Sequence, residues 1–307
     1  MSHECAADPF DAIVPSLPSP CRAWGRGWCA AAAGILEASA AKPGNVHPAA
    51  AFADLEHGEL VAAALAIAPA MERAADVRLG KTILAAVTAS RAVTRSNANL
   101  GIVLAIAPLA AVPDARCATP RGLQPRPADV ADVLARLTPA DAADVWRAIG
   151  VARPGGMGTS PSHDLAGPPP EDLLEAMRLA APRDAIARLW SEGYEPLHAG
   201  LVADLEAAIG AGRPLAAAIV AAFLLQLARE PDSLVARKHG PDVAADVSRR
   251  AAAAAADPAR IADFDRQLRG AGINPGTTAD LTAAALYILL ADGRLRPPAA
   301  APLPRSG

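Results

Sequence analysis

Ala-rich stretches of helical period, each ended by a short polar segment with glycine or proline, run through most of this chain and leave room for little besides helices. Aromatic residues make up only 3% of the 307 and hydrophobic residues 52%. Much of the apolar count is therefore alanine, the best helix former and one that lets helices approach closely. The period-2 alternation and Val/Ile/Tyr clusters that mark strands are missing. The expectation is an all-α fold, one multi-helix globular domain over residues 24–292, between a Pro-rich leader at 1–23 and a disordered tail at 293–307.

Helices are expected near 24–41, 58–75 (with Pro69 kinking or ending it), 79–95, 128–149, 171–180, 183–192, 197–211, 215–229, 232–239, 243–256, 259–269 and 278–291. Residues 113–127 read as a surface loop and 153–170 as a long Gly/Pro-rich connection. The most apolar stretches, 100–112, 215–228 and 281–291, fall well short of the roughly 20 residues a spanning helix needs and read as core helices. The net charge of -3 gives no global pull toward nucleic acid or an anionic membrane. Cys5, Cys21, Cys29 and Cys117 lack metal-type spacing. No basic segment followed by an apolar run stands at the start, so a cytoplasmic location is expected.

The chemistry-bearing residues sit in the breaks between helices. Lys42-Pro43-Gly44-Asn45-Val46 stops a helix, with lysine complementing its negative end, and also forms a rigid turn able to offer the Lys42 ammonium and Asn45 amide to phosphate or ribose oxygens. Ser96-Asn97-Ala98-Asn99-Leu100-Gly101 suits an N-cap and equally an anion-facing helix start, where Gly101 permits close approach. Asp232 at a helix start and Arg237-Lys238-His239 at its end, before Gly240, match the helix dipole, yet the cations also suit a polyphosphate. Asn274-Pro275-Gly276-Thr277-Thr278-Ala279-Asp280 fits a capping box, with Thr277 as N-cap and Asp280 as reciprocal acceptor; Asp280 also suits a divalent ion beside phosphate. His163-Asp164, after Gly155-Gly156-Met157-Gly158, makes a poor catalytic pair because adjacent residues seldom face each other. Gly80-Lys81-Thr82 lacks the spacing of a P-loop.

Taken in order, Lys42-Pro43-Gly44-Asn45-Val46, Asp54, Asn97-Ala98-Asn99-Leu100-Gly101, Asp232 to Gly240 and Pro275-Gly276-Thr277-Thr278-Ala279-Asp280-Leu281 resemble the triphosphoribosyl-dephospho-CoA synthase family over about residues 24–292. The resemblance implies an all-helical transferase that joins the triphosphoribosyl part of ATP to 3′-dephospho-CoA and releases adenine, with Mg²⁺ as cofactor. By position it implies a binding set of Lys42, Gly44, Asn45, Asn97, Asn99, Gly101, Asp232, Arg237, Lys238 and Gly276. Asp54 and Asp280 become candidates for metal or sugar-side catalysis, and His239 for protonating adenine. Two departures stand out: the family's His-x-Asp-Met is Phe52-Ala53-Asp54-Leu55, and its Asn-Thr-His-Lys-Gly is Asn97-Ala98-Asn99-Leu100-Gly101. Both lose a histidine and the second also loses a lysine, which leaves open a different acceptor, as in one-carbon cofactor synthesis, or a non-catalytic nucleotide-binding protein.

Overall fold

A computed structural model describes residues 24–52, 55–95, 99–119, 122–152 and 167–295. Its helices in chain order are α1 (Arg26–Ser39), α2 (His57–Glu72), α3 (Leu79–Val93), α4 (Leu100–Ala110), α5 (Asp114–Cys117), α6 (Pro127–Leu134), α7 (Pro139–Ala152) and α8 (Leu173–Ala180). There follow α9 (Ala185–Glu192), α10 (Glu195–Leu197), α11 (Ala203–Gly210), α12 (Leu215–Arg229), α13 (Ser233–His239), α14 (Pro241–Ala256), α15 (Ile261–Gly270) and α16 (Gly276–Ala291). A π-helical turn, His198–Val202, joins α10 to α11. Among the described residues the only sheet is an antiparallel hairpin, β1 (Ala118–Thr119) with β2 (Gly122–Leu123). The all-α expectation holds, and no described helix is long and apolar enough to cross a membrane.

α16 is apolar all round and buried on nearly every side, as befits a helix at the centre of a bundle. It packs against α1, α4, α12, α13 and the π-turn. α4, nearly as buried, carries Pro108, which has no N–H to give to the Leu104 carbonyl one turn back. Trp190 of α9 supplies the missing donor, its Nε1 lying 2.8 Å from that oxygen, and the Tyr194 hydroxyl reaches Ala105 O at 2.9 Å. A buried carbonyl left unpaired costs roughly 1–3 kcal/mol, so these bonds fix α9 to α4. A second apolar cluster, built from Phe223, Val247, Phe264, Leu268 and Ile273, joins α12, α14 and α15 beside α16.

The elements differ from expectation at five places. Residues 113–127, expected as a surface loop, hold α5 and the hairpin. α2 continues through Pro69 to Glu72; the carbonyl that Pro69 cannot serve belongs to Leu65, which is exposed, so water can satisfy it. The single helix expected at 128–149 is two, α6 and α7, because Thr138 starts a new one: its N–H and hydroxyl donate to Asp141 Oδ2 at 3.0 and 2.6 Å, and Pro139 suits the first helical position. The expected capping box of Thr277 with Asp280 does not form, since α16 starts at Gly276 with no side-chain cap of its own. Residues 293–295, expected in the tail, are tied back instead: Arg294 pairs with Glu206 at 2.7 Å and Leu295 N donates to Leu289 O at 2.8 Å.

Candidate functional site

The Lys42 segment begins where α1 runs out of partners for its last carbonyls. Ala40 turns extended, and the Lys42 side chain folds back onto the helix end. Its Nζ donates to Glu37 O and to Ala40 O and stands 2.8 Å from Glu37 Oε1. Lys42 is wholly buried and its donors are spent, so it pins the turn and offers none to the phosphate role expected of it. Gly44 has φ 75, the value a type II turn asks of the residue after proline, and Asn45 N closes the turn on Lys42 O at 3.1 Å. A Cβ on Gly44 would also lie 2.9 Å from Ile273 O and from Pro275 Cδ. The turn is thus pressed against the loop before α16.

That contact is polar as well as close. Asn45 Nδ2 donates to Asn274 Oδ1 at 2.7 Å, Gly44 N donates to Asp265 Oδ1 at 2.8 Å, and Arg269 donates to Asn45 O. Asp232 then links α13 to α16. Its Oδ1 caps α13 by accepting from Leu234 N and Val235 N at 2.9 and 3.0 Å, while Oδ2 accepts from Thr278 N and Thr278 Oγ1 at 2.7 and 2.8 Å. One carboxylate supplies both helix starts, which explains why α16 needs no cap from within. Gly276 fits beneath Leu234, whose Cδ2 would be 2.7 Å from an added Cβ.

The start of α4 meets the same turn of α16. A Cβ on Gly101 would fall 1.9 Å from Asp280 Oδ2, so only glycine leaves room for that carboxylate. Asp280 is partly exposed to solvent although protein atoms crowd its carboxylate. Burial first, then the charges of Glu37, Asp232 and Asp184, push its pKa well above the usual carboxylate range, against a lowering pull from Arg237. Among the described residues no group donates a hydrogen bond to it. On the elements that meet here, Asn99 Nδ2, Asn45 Oδ1 and Arg237 Nε are buried and unpaired among the described residues. Asp232, though raised by burial, is held back by its four hydrogen bonds.

The sequence candidates therefore divide. Gly44, Asn45, Asp232, Gly276, Gly101 and Asp280 meet around the start of α16 through the contacts above; Lys42 pins the turn at the end of α1, Arg237 lowers the Asp280 pKa by its charge, and Asn99 stands two residues before Gly101. Lys238 and His239 are exposed at the end of α13. Asp54 and Asn97, with Ser96 and His163, lie outside the described residues. Sequence reasoning missed Glu37, the partner of Lys42; Asp265 and Arg269, which brace the turn from α15; Asn274, which is bonded to Asn45; and Asp184, which stands 3.5 Å from Arg237. All but Asn274, which was quoted only for its turn, lie inside regular helix or at its edge, where a charged residue resembles any solvated face.

No group of three or more His, Cys, Asp or Glu among the described residues is arranged to hold a metal ion. A magnesium site completed by phosphate oxygens needs only one or two carboxylates. The acid-crowded, unpaired Asp280 fits such a site, because a cation would offset the neighbouring acids that add to burial in raising its pKa.

Comparison with known proteins gives the family of the chain. No curated protein sequence matches the chain. Among solved structures, an Archaeoglobus fulgidus protein assigned as a triphosphoribosyl-dephospho-CoA synthase superposes with a TM-score of 0.59 at 25% identity, covering 76% of this chain and 99% of that one. Residues 23–297 match the family of ATP:dephospho-CoA triphosphoribosyl transferases, and with the match spanning nearly all of the helical body, the chain belongs to that transferase family.

Proposed function

We propose that this protein transfers the triphosphoribosyl group of ATP to a hydroxyl of 3′-dephospho-CoA and releases adenine. The bond between the ribose C1′ and adenine breaks, a bond from C1′ to the acceptor oxygen forms, the hydroxyl proton passes to a base, and adenine leaves with a proton. Positive charge builds on the sugar as adenine departs, so a carboxylate beside C1′ lowers the barrier. Asp280, ionised, is the residue for this task.

Arg237, whose Nε lacks a partner, neutralises the triphosphate together with the exposed Lys238. Asn99 and Asn45 use their unpaired atoms on ribose or phosphate oxygens. Lys42 acts indirectly, by holding Glu37 and the turn that carries Asn45. His239 is assigned to the adenine side, and Asp54 to the metal, by sequence position alone. Magnesium, held by Asp280 and Asp54 with triphosphate oxygens, would supply neutralisation of the polyphosphate charge.

The observation that carries this reading is the unpaired, acid-crowded Asp280 among orphaned amide and guanidinium atoms at the meeting of the α4 and α16 starts. Incubation with ATP, Mg²⁺ and dephospho-CoA, followed by mass spectrometry, should show free adenine and an acceptor heavier by the triphosphoribosyl unit. Intact ATP under those conditions, with every acceptor tried, would leave a nucleotide-binding protein without turnover.

A second reading keeps the donor and changes the acceptor. It draws on Phe52, which stands where the resemblance expects histidine and lies under the Arg269 guanidinium, 5.5 Å from the ring centroid. Adenine released only when cell extract replaces dephospho-CoA would select it.

A further inference from the structure

Asn45 is held at every polar atom but one. Its N–H closes the turn on Lys42 O at 3.1 Å, its carbonyl accepts from Arg269, and its Nδ2 donates to Asn274 Oδ1 at 2.7 Å. The turn itself is clamped from α15, where Asp265 Oδ1 accepts from Gly44 N at 2.8 Å and from Arg269 Nε at 2.9 Å. The side chain is therefore fixed in direction. Its Oδ1 is left without a donor among the described residues, on a residue only 5% exposed. A buried acceptor with no donor costs roughly 1–3 kcal/mol, so a position built this tightly keeps one where a ligand completes it. Asn99 leaves the other half of its amide unpaired, the donor Nδ2. Contacts tie Asn45 to the Asp280 region: its partner Asn274 immediately precedes Pro275 and the start of α16, and Asp280 comes four residues after Gly276, about 6 Å along the helix axis.

We infer that Asn45 determines specificity for the sugar of the nucleotide, its Oδ1 accepting a hydrogen bond from the ribose 2′-hydroxyl. The inference rests on the proposed transfer from ATP and adds which part of ATP this residue reads. Ionised phosphate oxygens only accept, so they cannot complete an acceptor; the donors that ATP offers are its two ribose hydroxyls and the 6-amino group of adenine. The 2′-hydroxyl is carried by the carbon next to C1′, where Asp280 is assigned, and so it is the donor closest to the bond that breaks. A hydrogen bond to that hydroxyl strengthens as positive charge builds on the sugar, as it does in glycoside hydrolysis. Asn45 then favours the departure of adenine as well as the binding of ATP. Asn99, with a donor to give, takes a triphosphate oxygen instead.

Titration calorimetry of the full chain with Mg²⁺ separates the three donors without requiring turnover, using ATP, 2′-deoxy-ATP, 3′-deoxy-ATP and inosine triphosphate, which has an oxo group in place of the 6-amino group. The wild-type protein should bind ATP about tenfold more tightly than 2′-deoxy-ATP, the worth of one hydrogen bond, and the other two analogues within about threefold of ATP. Asn45→Leu, close in volume but without the amide, should erase the preference for the 2′-hydroxyl, and Asn45→Ala serves if the leucine variant does not fold. Asn45→Asp, which keeps an acceptor oxygen, should retain it. Equal wild-type affinities for ATP and 2′-deoxy-ATP, or a preference that survives Asn45→Leu, would overturn the assignment. So would a substitution that abolishes discrimination against 3′-deoxy-ATP or inosine triphosphate instead. Adenine release measured in parallel with dephospho-CoA reports on the transfer itself: release without a 2′-hydroxyl preference removes only the role of Asn45, and the preference without release removes only the reaction.

Discussion

The two ends of α4 treat buried polar groups in opposite ways. At the C-terminal end Arg26 of α1 reaches in and donates from Nε to Ala110 O at 2.7 Å and from Nη2 to Val112 O at 2.7 Å, with Asp114 pairing at 2.5 Å. A cation thus meets the negative end of the helix and the freed carbonyls are satisfied. Cys29, in the same region, is pushed up to about 12, chiefly by burial, and holds its proton. At the N-terminal end Asn99 keeps an unpaired Nδ2, and Gly101 leaves a gap filled by a carboxylate with no donor among the described residues. A satisfied buried group contributes stability; an unsatisfied one costs it and persists where a ligand completes it. The difference is what the proposed site at the N-terminal end of α4 rests on.

The sharpest way to break that contrast is Asp280→Asn. Adenine release should fall about 10³-fold, roughly 4 kcal/mol of transition-state stabilisation, while the far-UV circular dichroism stays helical. Activity within tenfold of wild type would remove Asp280 from the chemistry. At the finished end, Arg26→Met should behave in reverse and lower unfolding free energy by about 3 kcal/mol, because the Ala110 and Val112 carbonyls lose their donor in a buried setting, while the exposed Asp114 contributes little. The KM for ATP of the folded fraction should not move, a result urea titration and kinetics can show together.

Two smaller changes sharpen the unfinished end. Gly101→Ala puts a methyl against Asp280 and should displace its carboxylate by about 1 Å, which costs on the order of 10² in kcat with little change in KM. Asn99→Ala removes a group that bonds to nothing among the described residues, so the melting temperature should hold within about 2 °C while kcat/KM drops about tenfold, one hydrogen bond to the ligand. A large fall in stability instead would show that the Asn99 amide is a structural bond and not one kept for substrate.

The helices were legible because alanine, helical period and the Gly/Pro stops agree along the chain, and α12, α13 and α16 lie close to where pattern placed them. Asp232 as the start of α13 and Arg237 at its end were also legible, since capping is a local rule. What was not legible is reach. Nothing local says that Asp232 caps a second helix through Thr278, or that Lys42 turns inward to Glu37 instead of outward to phosphate. The first depends on α16 lying against α13, a long-range placement that periodicity does not encode, and the second on the free carbonyls at the end of α1, which draw the lysine inward. The break at Thr138 was missed for another reason: apolar residues continue across it, and the run around it does not single out a cap at Thr138.

The smallest expected effect uses the same substitution as the largest. An acid whose folded pKa is raised stabilises the fold fully only below its unfolded value, and that contribution is lost as pH rises through the folded one. Asp280 is such an acid, raised by burial and by neighbouring acids, so without ligand it weakens the fold once it ionises. Asn cannot ionise. Asp280→Asn should therefore match wild type near pH 4 and become the more stable protein as pH climbs, by on the order of 1 kcal/mol, or about 2–4 °C in melting temperature. Arg26 variants, at the satisfied end of α4, should show no gain at any pH. Adding ATP and Mg²⁺ should shrink or invert the Asp280→Asn advantage, because the ionised carboxylate then has something to bind. A variant no more stable than wild type across the whole range, measured by scanning calorimetry, would mean that Asp280 is already satisfied and that the two ends of α4 are alike.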